Sequence, residues 1–265
     1  MTKSSLCCVL KSCSAYIYDW LNYRASNAVN MLPCEESITD WLIYEVCKNA
    51  TASYVVTTRY TKLQESKITG ADWEWVFIFD NGTYVFRIQA KKLECVNNYD
   101  KINYPKGTAQ QITKLIADAN LHNAFPVYVF YSCDVTICKC SVHQLNNGVF
   151  ISDANQIDRD FVASGKSVIA KDDISKDSIP LPCLLCCNSN AVIDSTGSLF
   201  ITQLKKQFKL QDDYIYKIRQ QNIPNYIHDI LTYKDQKFPA WYEEEYRKNL
   251  KRLDGILVFD CRSST

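Results

Sequence analysis

No stretch of this 265-residue chain approaches the roughly 20 uninterrupted apolar residues that span a bilayer, so no membrane segment is expected. Residues 5–21 come nearest to a secretory leader. Lys11 and Asp19 interrupt them and no small-residue cleavage site follows, so no signal peptide is expected either. Charge of one sign is also missing. Thirty basic against 29 acidic residues leave a net charge of +1, so any contact with a polyanion must rest on local patches. Histidine is scarce, and His122, His143 and His228 have no Ser or Cys partner at a motif spacing, which leaves a cysteine-protease reading without support. Repeats, low-complexity tracts and clear linkers are absent as well.

Cysteine is plentiful. Thirteen in a chain of this length are too sparse for a disulfide scaffold, and their odd number leaves at least one unpaired, so reduced thiols in a cytoplasmic protein are expected. The 47% hydrophobic and 22% charged composition suits a globular fold with a sizeable core.

Residues 5–23 read as a helix packed on the rest of the chain. Ile38, Trp41, Leu42 and Val46 follow helical spacing behind Glu35 and Glu36, which predicts a helix over 35–46. A Val, Thr and Tyr-rich run predicts a strand over 54–61. Two β-rich runs, 71–79 and 83–91, flank Asn81-Gly82, the dipeptide of a two-residue hairpin loop. A helix over 108–120 and a buried strand over 126–131 follow. Polar loops are expected over 146–160, helices over 204–221 and 241–253, and a last strand over 256–259. The segments are taken as an N-terminal helical part (1–30), a core (31–135) and a mostly helical C-terminal extension (136–265) that could belong to the same domain.

With Asn81 and Gly82 in the loop, Asp80 faces Thr83, Glu74 faces Gln89 and Asp72 faces Lys91. Opposed residues share a sheet face. Asp72, Glu74, Gln89 and Lys91 then cluster on one face, while Trp73, Trp75, Phe77 and Phe79 lie opposite Ala90, Ile88, Phe86 and Tyr84 on the other. Two carboxylates, an amide oxygen and a lysine offer oxygen ligands for Mg²⁺ or Mn²⁺, plus a cation able to orient a water. That inventory suits phosphodiester hydrolysis. The plainer reading is a set of cross-strand ion pairs on a solvated sheet face.

Asp72, the triplet Gln89-Ala90-Lys91 and the acid-bearing helix before them resemble the PD-(D/E)xK, restriction-endonuclease-like nuclease superfamily, in the variant with Gln in place of the second acid. The string Gly70-Ala71-Asp72-Trp73-Glu74-Trp75 with Gln89-Ala90-Lys91 is also similar to an uncharacterised bacterial family with that signature. The likeness covers about 35–131, and no Pro precedes Asp72. It implies an α+β fold with a central mixed sheet flanked by helices, in the order αβββαβ. It also implies that Asp72, Gln89 and Glu36 are metal ligands, with Glu35 as the other candidate for the helix acid, and that Lys91 contacts the attacking water or the phosphate. Gln111 would touch substrate. Either helix acid could equally be a first-turn charge favoured by the helix dipole, and Gln111 a solvated helix residue.

Arg59, Tyr60 and Lys62 lie near the cluster as phosphate contacts. The basic groups Lys205, Lys206 and Lys209, and Arg247, Lys248, Lys251 and Arg252, read first as solvated helix faces. Cys183 and Cys186 form a CxxC that Cys133, Cys138 and Cys140 could complete as a zinc site, but Leu184 and Leu185 favour buried thiols, so structural Zn²⁺ is disfavoured. The function expected is that of a Mg²⁺-dependent endonuclease acting on DNA, in the setting of antiphage or mobile-element defence that such folds keep. The competing reading is a catalytically silent nucleic-acid- or protein-binding module. A homodimer or an activating partner is compatible with both.

Overall fold

The computed structural model of the chain describes residues 5–26, 33–49, 56–59, 69–94, 98–100, 102, 105–106, 109–133, 135, 146–186, 193–233 and 255–263. Its framework is one mixed sheet. In chain order the strands are β1 (Val56–Arg59), β2 (Trp73–Phe79), β3 (Gly82–Lys92), β4 (Phe125–Tyr131), β5 (Val149–Asp153), β6 (Ile179–Pro180), β7 (Arg219–Gln220) and β8 (Gly255–Asp260). They lie in the order β1-β8-β2-β3-β4-β5-β6, and β7 pairs with the start of β3. The helices are α1 (Leu6–Ser26), α2 (Glu35–Asn49), α3 (Gln111–Leu121), α4 (Ala154–Ile157), α5 (Lys171–Lys176), α6 (Leu181–Cys186), α7 (Ser198–Phe208), α8 (Asp212–Ile218) and α9 (Asn225–Tyr233), with one π-helical turn at Asp158–Val162. The expected α+β architecture, a mixed sheet flanked by helices, is the one observed. Among the described residues no helix is long and apolar enough to cross a membrane.

The C-terminal strand is integral to this sheet. β8 runs parallel to β2 and antiparallel to β1, separating two strands that are neighbours in sequence. Its residues Ile256, Leu257, Val258 and Phe259 are all buried, as a continuous apolar run must be when helices cover both faces of a sheet. The last strand of the chain thus completes the core over 31–135.

The hairpin register differs from the expected one by two residues. Glu74 faces Arg87, Trp75 faces Phe86, Phe77 faces Tyr84 and Phe79 faces Gly82. Asp80 and Asn81, rather than Asn81 and Gly82, form the loop. Asp80 is drawn out of the ladder because its N–H donates to Ser195 O at 2.8 Å and its carboxylate accepts from Ser263 Oγ at 2.9 Å. Gly82 opens β3 at a φ of 145°, and a Cβ there would meet Arg219 Nε at 2.9 Å. A shift of two preserves the alternation, so each side chain keeps its expected face while its partner changes.

The apolar face of the hairpin packs on α7. Phe200 touches Phe77 at 5.1 Å, Phe79 at 5.0 Å, Tyr84 at 5.4 Å and Phe86 at 5.8 Å between ring centroids, each pair contributing about 0.5–1.5 kcal/mol beyond area burial. α1 is joined to α2 by the stacked rings of Tyr16 and Trp41, 4.4 Å apart.

Two other expectations are corrected. The 146–160 segment holds the buried strand β5 and the start of a helix capped by Asp153, whose Oδ1 accepts from Asn155 N at 2.9 Å. Pro180 lies in β6, and Pro182, Cys183 and Cys186 lie in α6. The helical stretch over 204–221 is divided between two helices, because Lys209 adopts a left-handed φ of 54° and ends α7. The helix expected over 241–253 lies outside the described residues.

Candidate active site

The polar face of the hairpin is buried. Asp72, Glu74, Arg87 and Gln89 are 6%, 0%, 6% and 1% exposed, which rules out a solvated row of surface pairs. Buried polar groups require partners, and the helix partners of these four come from α3 and α9.

Asp72 stands just before β2, with its N–H donating to Ile88 O at 2.7 Å. Its Oδ2 accepts from Ala90 N at 2.8 Å and from Gln89 Nε2 at 2.5 Å. The carboxylate of an aspartate can only accept, so the nitrogen end of the Gln89 amide faces it. That nitrogen is also 3.0 Å from Ala90 O. The oxygen end of Gln89 accepts from Gln111 Nε2, on the first residue of α3. Gln111 is 2% exposed, so it is no solvated helix residue, and its observed partner is Gln89.

α3 reaches this position through Gly70. At a φ of 69°, Gly70 sits so close to the helix that a Cβ would lie 2.4 Å from Gln111 O and 2.9 Å from Leu115 N. The Thr69 hydroxyl holds the same turn by accepting from Ala71 N at 3.2 Å.

Of the two helix acids, the structure brings Glu35 to the sheet. Its Oε2 accepts from Lys92 N at 3.1 Å. Glu36, the acid expected at the site, is exposed on α2. The reason is the helix face: Glu35 lies above Ile38 and Leu42, both buried against the sheet. Thr39 strengthens the attachment through its hydroxyl, 2.6 Å from Tyr131 OH. Burial raises the pKa of Tyr131; the Thr39 hydrogen bond opposes the rise, and the carboxylates of Glu35, Asp72 and Asp40 reinforce it. Tyr128 is raised by burial and by Asp72, Asp158 and Glu35. Both phenols are therefore held neutral beside the Asp72 and Glu35 carboxylates.

Lys91 shares the face of Asp72 and Gln89. Its side chain is partly exposed and makes no hydrogen bond or ion pair with a described residue. Glu74 is different. Its Oε2 accepts from Arg87 Nη1 and its Oε1 from Tyr226 OH at 2.7 Å, so both oxygens are held by partners. Arg87 Nε lies 2.9 Å from Asp118 Oδ2, close enough for an ion pair although not aligned as a hydrogen bond. Burial would lower the Arg87 pKa, but Glu74, Asp118 and Tyr226 outweigh it and raise it. Glu74 thus anchors β2 to β3, α3 and α9.

Arg59 is in β1, its side chain outside the described residues, as are Lys62, His143, Cys138 and Cys140. Cys133, Cys183 and Cys186 are buried. Lys205 pairs with Asp212. Among the described residues no three His, Cys, Asp or Glu side chains form a group that could hold a metal ion. The carboxylates that bear on Tyr131 are those of Glu35, Asp72 and Asp40, and Gln89 Oε1 and Ala90 O are neutral oxygens beside Asp72.

The family model for a family of unknown function (DUF6615) matches residues 6–264. The chain belongs to that family. A comparison with curated proteins finds no match. The DUF6615 match runs from α1 through β8, so it takes in every element described above.

Sequence reasoning missed Arg87, Asp118 and Tyr226. Arg87 was accessible, since it alternates with Gln89 and Lys91 on a strand whose other face is aromatic. Asp118 and Tyr226 carried no local signal, because they meet Glu74 and Arg87 only through tertiary packing.

Proposed function

We propose that this DUF6615 protein is a metal-dependent nuclease of the cytoplasm that hydrolyses phosphodiester bonds, with DNA as the favoured substrate. The observation that carries the reading is the buried contact of Asp72 with Gln89, two residues from a lysine on the same face that no described residue neutralises. A buried carboxylate fixed by a backbone N–H is a preorganised anionic site, and a lysine beside it with no partner among the described residues favours a phosphate or an attacking water.

The donor set suits a hard divalent cation. Asp72 Oδ2 and Ala90 O both flank the Gln89 amide nitrogen, a partially positive group lying between two oxygens. Asp72, Ala90 O, Gln89 Oε1 and Glu35 would hold Mg²⁺ or Mn²⁺, the remaining positions being filled by water. Such an ion would acidify a bound water and offset charge on the phosphate. Lys91 orients the attacking water and screens the charge that grows on the phosphoryl oxygens. Water oxygen bonds to phosphorus and releases a proton to solvent, the ester P–O bond breaks, and the leaving oxygen takes a proton from solvent. Glu36 and Glu74 are given no part in this chemistry, Glu36 because it faces away and Glu74 because Arg87 and Tyr226 hold it.

Purified protein should cleave plasmid or linear DNA with Mg²⁺ or Mn²⁺, and Asp72→Asn should remove the activity while the circular-dichroism spectrum is kept. Salt-sensitive DNA binding with no cleavage under any divalent cation would favour the silent binding module instead.

A further inference from the structure

Two buried amides stand in series behind Asp72, and their orientations are fixed by what surrounds them. The Gln89 nitrogen has two acceptors, Asp72 Oδ2 at 2.5 Å and Ala90 O at 3.0 Å, while Gln89 Oε1 has one donor, Gln111 Nε2. Neither a carboxylate nor a carbonyl can donate, so the nitrogen must lie on the Asp72 side. At 1% and 2% exposure, neither amide can exchange these partners with bulk water. The Gln89 oxygen, the only atom of that side chain suited to a hard cation, is therefore turned toward α3 and away from Asp72.

We propose that Gln111 is a positioning residue that sets which end of the Gln89 amide faces Asp72, and that cation entry turns the two amides over together. The inference rests on the metal-dependent reading of the site. With Gln89 Oε1 facing Asp72, Gln89 Nε2 faces Gln111 and needs an acceptor. Gln111 supplies one by presenting Oε1 in place of Nε2. An amide at 111 satisfies both arrangements, since it carries a donor and an acceptor on one rotatable group. A carboxylate there can only accept, and holds the turned arrangement alone. Leaving a buried amide end unpaired costs enough to make either mismatch visible. The close seat of Gly70 against Gln111 O keeps the first turn of α3 within reach of Gln89 in both arrangements.

The test is a side-chain amide NMR experiment on the ¹⁵N-labelled full chain, with Mg²⁺ as the added ion. In the cation-free protein the Gln89 Nε2 hydrogens and the Ala90 N–H donate to the same oxygen and should give a cross-relaxation peak. Saturating Mg²⁺ should abolish that peak. Gln111→Glu should abolish it without Mg²⁺ and tighten Mg²⁺ binding about tenfold. If Mg²⁺ shifts the resonances around Asp72 but the Gln89–Ala90 peak persists, the coupled turn is wrong and the metal-dependent reading survives. If no resonance near Asp72 responds to Mg²⁺, both fall. Should Gln111→Glu fail to fold, the wild-type comparison decides alone.

Discussion

Gln89 Nε2 and the backbone N–H of Ala90 converge on the same oxygen of Asp72, at 2.5 and 2.8 Å. A neutral amide thus offsets part of the carboxylate's charge where many hydrolytic sites place a second acid. Gln89→Glu would remove that donor and set two carboxylates face to face. The cation-free variant should lose about 3 kcal/mol of stability, on the order of a broken buried pair. Mn²⁺ should bind it more tightly than it binds wild type and restore most of the loss. Thermal denaturation with and without Mn²⁺ measures both effects, and equal melting temperatures for the two cation-free proteins would count against the contact.

Arg87 lies between Glu74 and Asp118 and has no water-exposed alternative. Arg87→Met should destabilise the fold by about 3–5 kcal/mol, because two carboxylates are left buried without a counter-charge. Tyr226→Phe removes one hydrogen bond to a charged oxygen and should cost about 1.5–3 kcal/mol. Urea titrations of the two variants should rank in that order. A small loss for Arg87→Met would mean that the carboxylates find other partners.

How much of this was legible in the sequence depends on range. The alternation of aromatic and polar residues in 72–91 sorted the two faces correctly because a face survives a register shift of two. The partners did not survive it, since Ser195 and Ser263 decide where Asp80 goes and both are far along the chain. The helix acid was open for the same reason: both Glu35 and Glu36 suit a helix start, and only the docking of Ile38 and Leu42 on the sheet turns Glu35 inward. The central place of β8 had no local signature at all.

Gly70→Ala should destabilise the protein by more than about 2 kcal/mol, from the positive φ and from collision with backbone atoms of α3 that cannot swing aside. Because the same collision pushes Gln111 away from Gln89, any residual nuclease activity should fall further than the population of folded protein does. Activity per folded molecule, obtained from cleavage rates and denaturation curves together, separates the two losses.

Asp194 caps the start of α7. Burial would raise its pKa, but hydrogen bonds from Thr196, Leu199 and Ser198 outweigh it and hold the carboxyl below its ordinary range. A folded pKa below the unfolded value of about 3.9 stabilises the fold above that pH and loses the contribution as pH falls through the folded pKa. Between pH 5 and pH 3, wild type should therefore lose more stability than Asp194→Asn does. At neutral pH, Asp194→Ala should cost about 1 kcal/mol. Parallel pH curves for wild type and Asp194→Asn would contradict the assignment.

Lys91 tests the central claim most directly, because no described residue needs it for the fold. The decisive measurement is the single-turnover rate of DNA cleavage by wild type and Lys91→Ala in Mn²⁺, with EDTA as the blank. The account predicts cleavage by wild type that EDTA abolishes, a fall of about 10²–10⁴ for Lys91→Ala, and an unchanged melting temperature. Cleavage that persists in both Lys91→Ala and EDTA would contradict it.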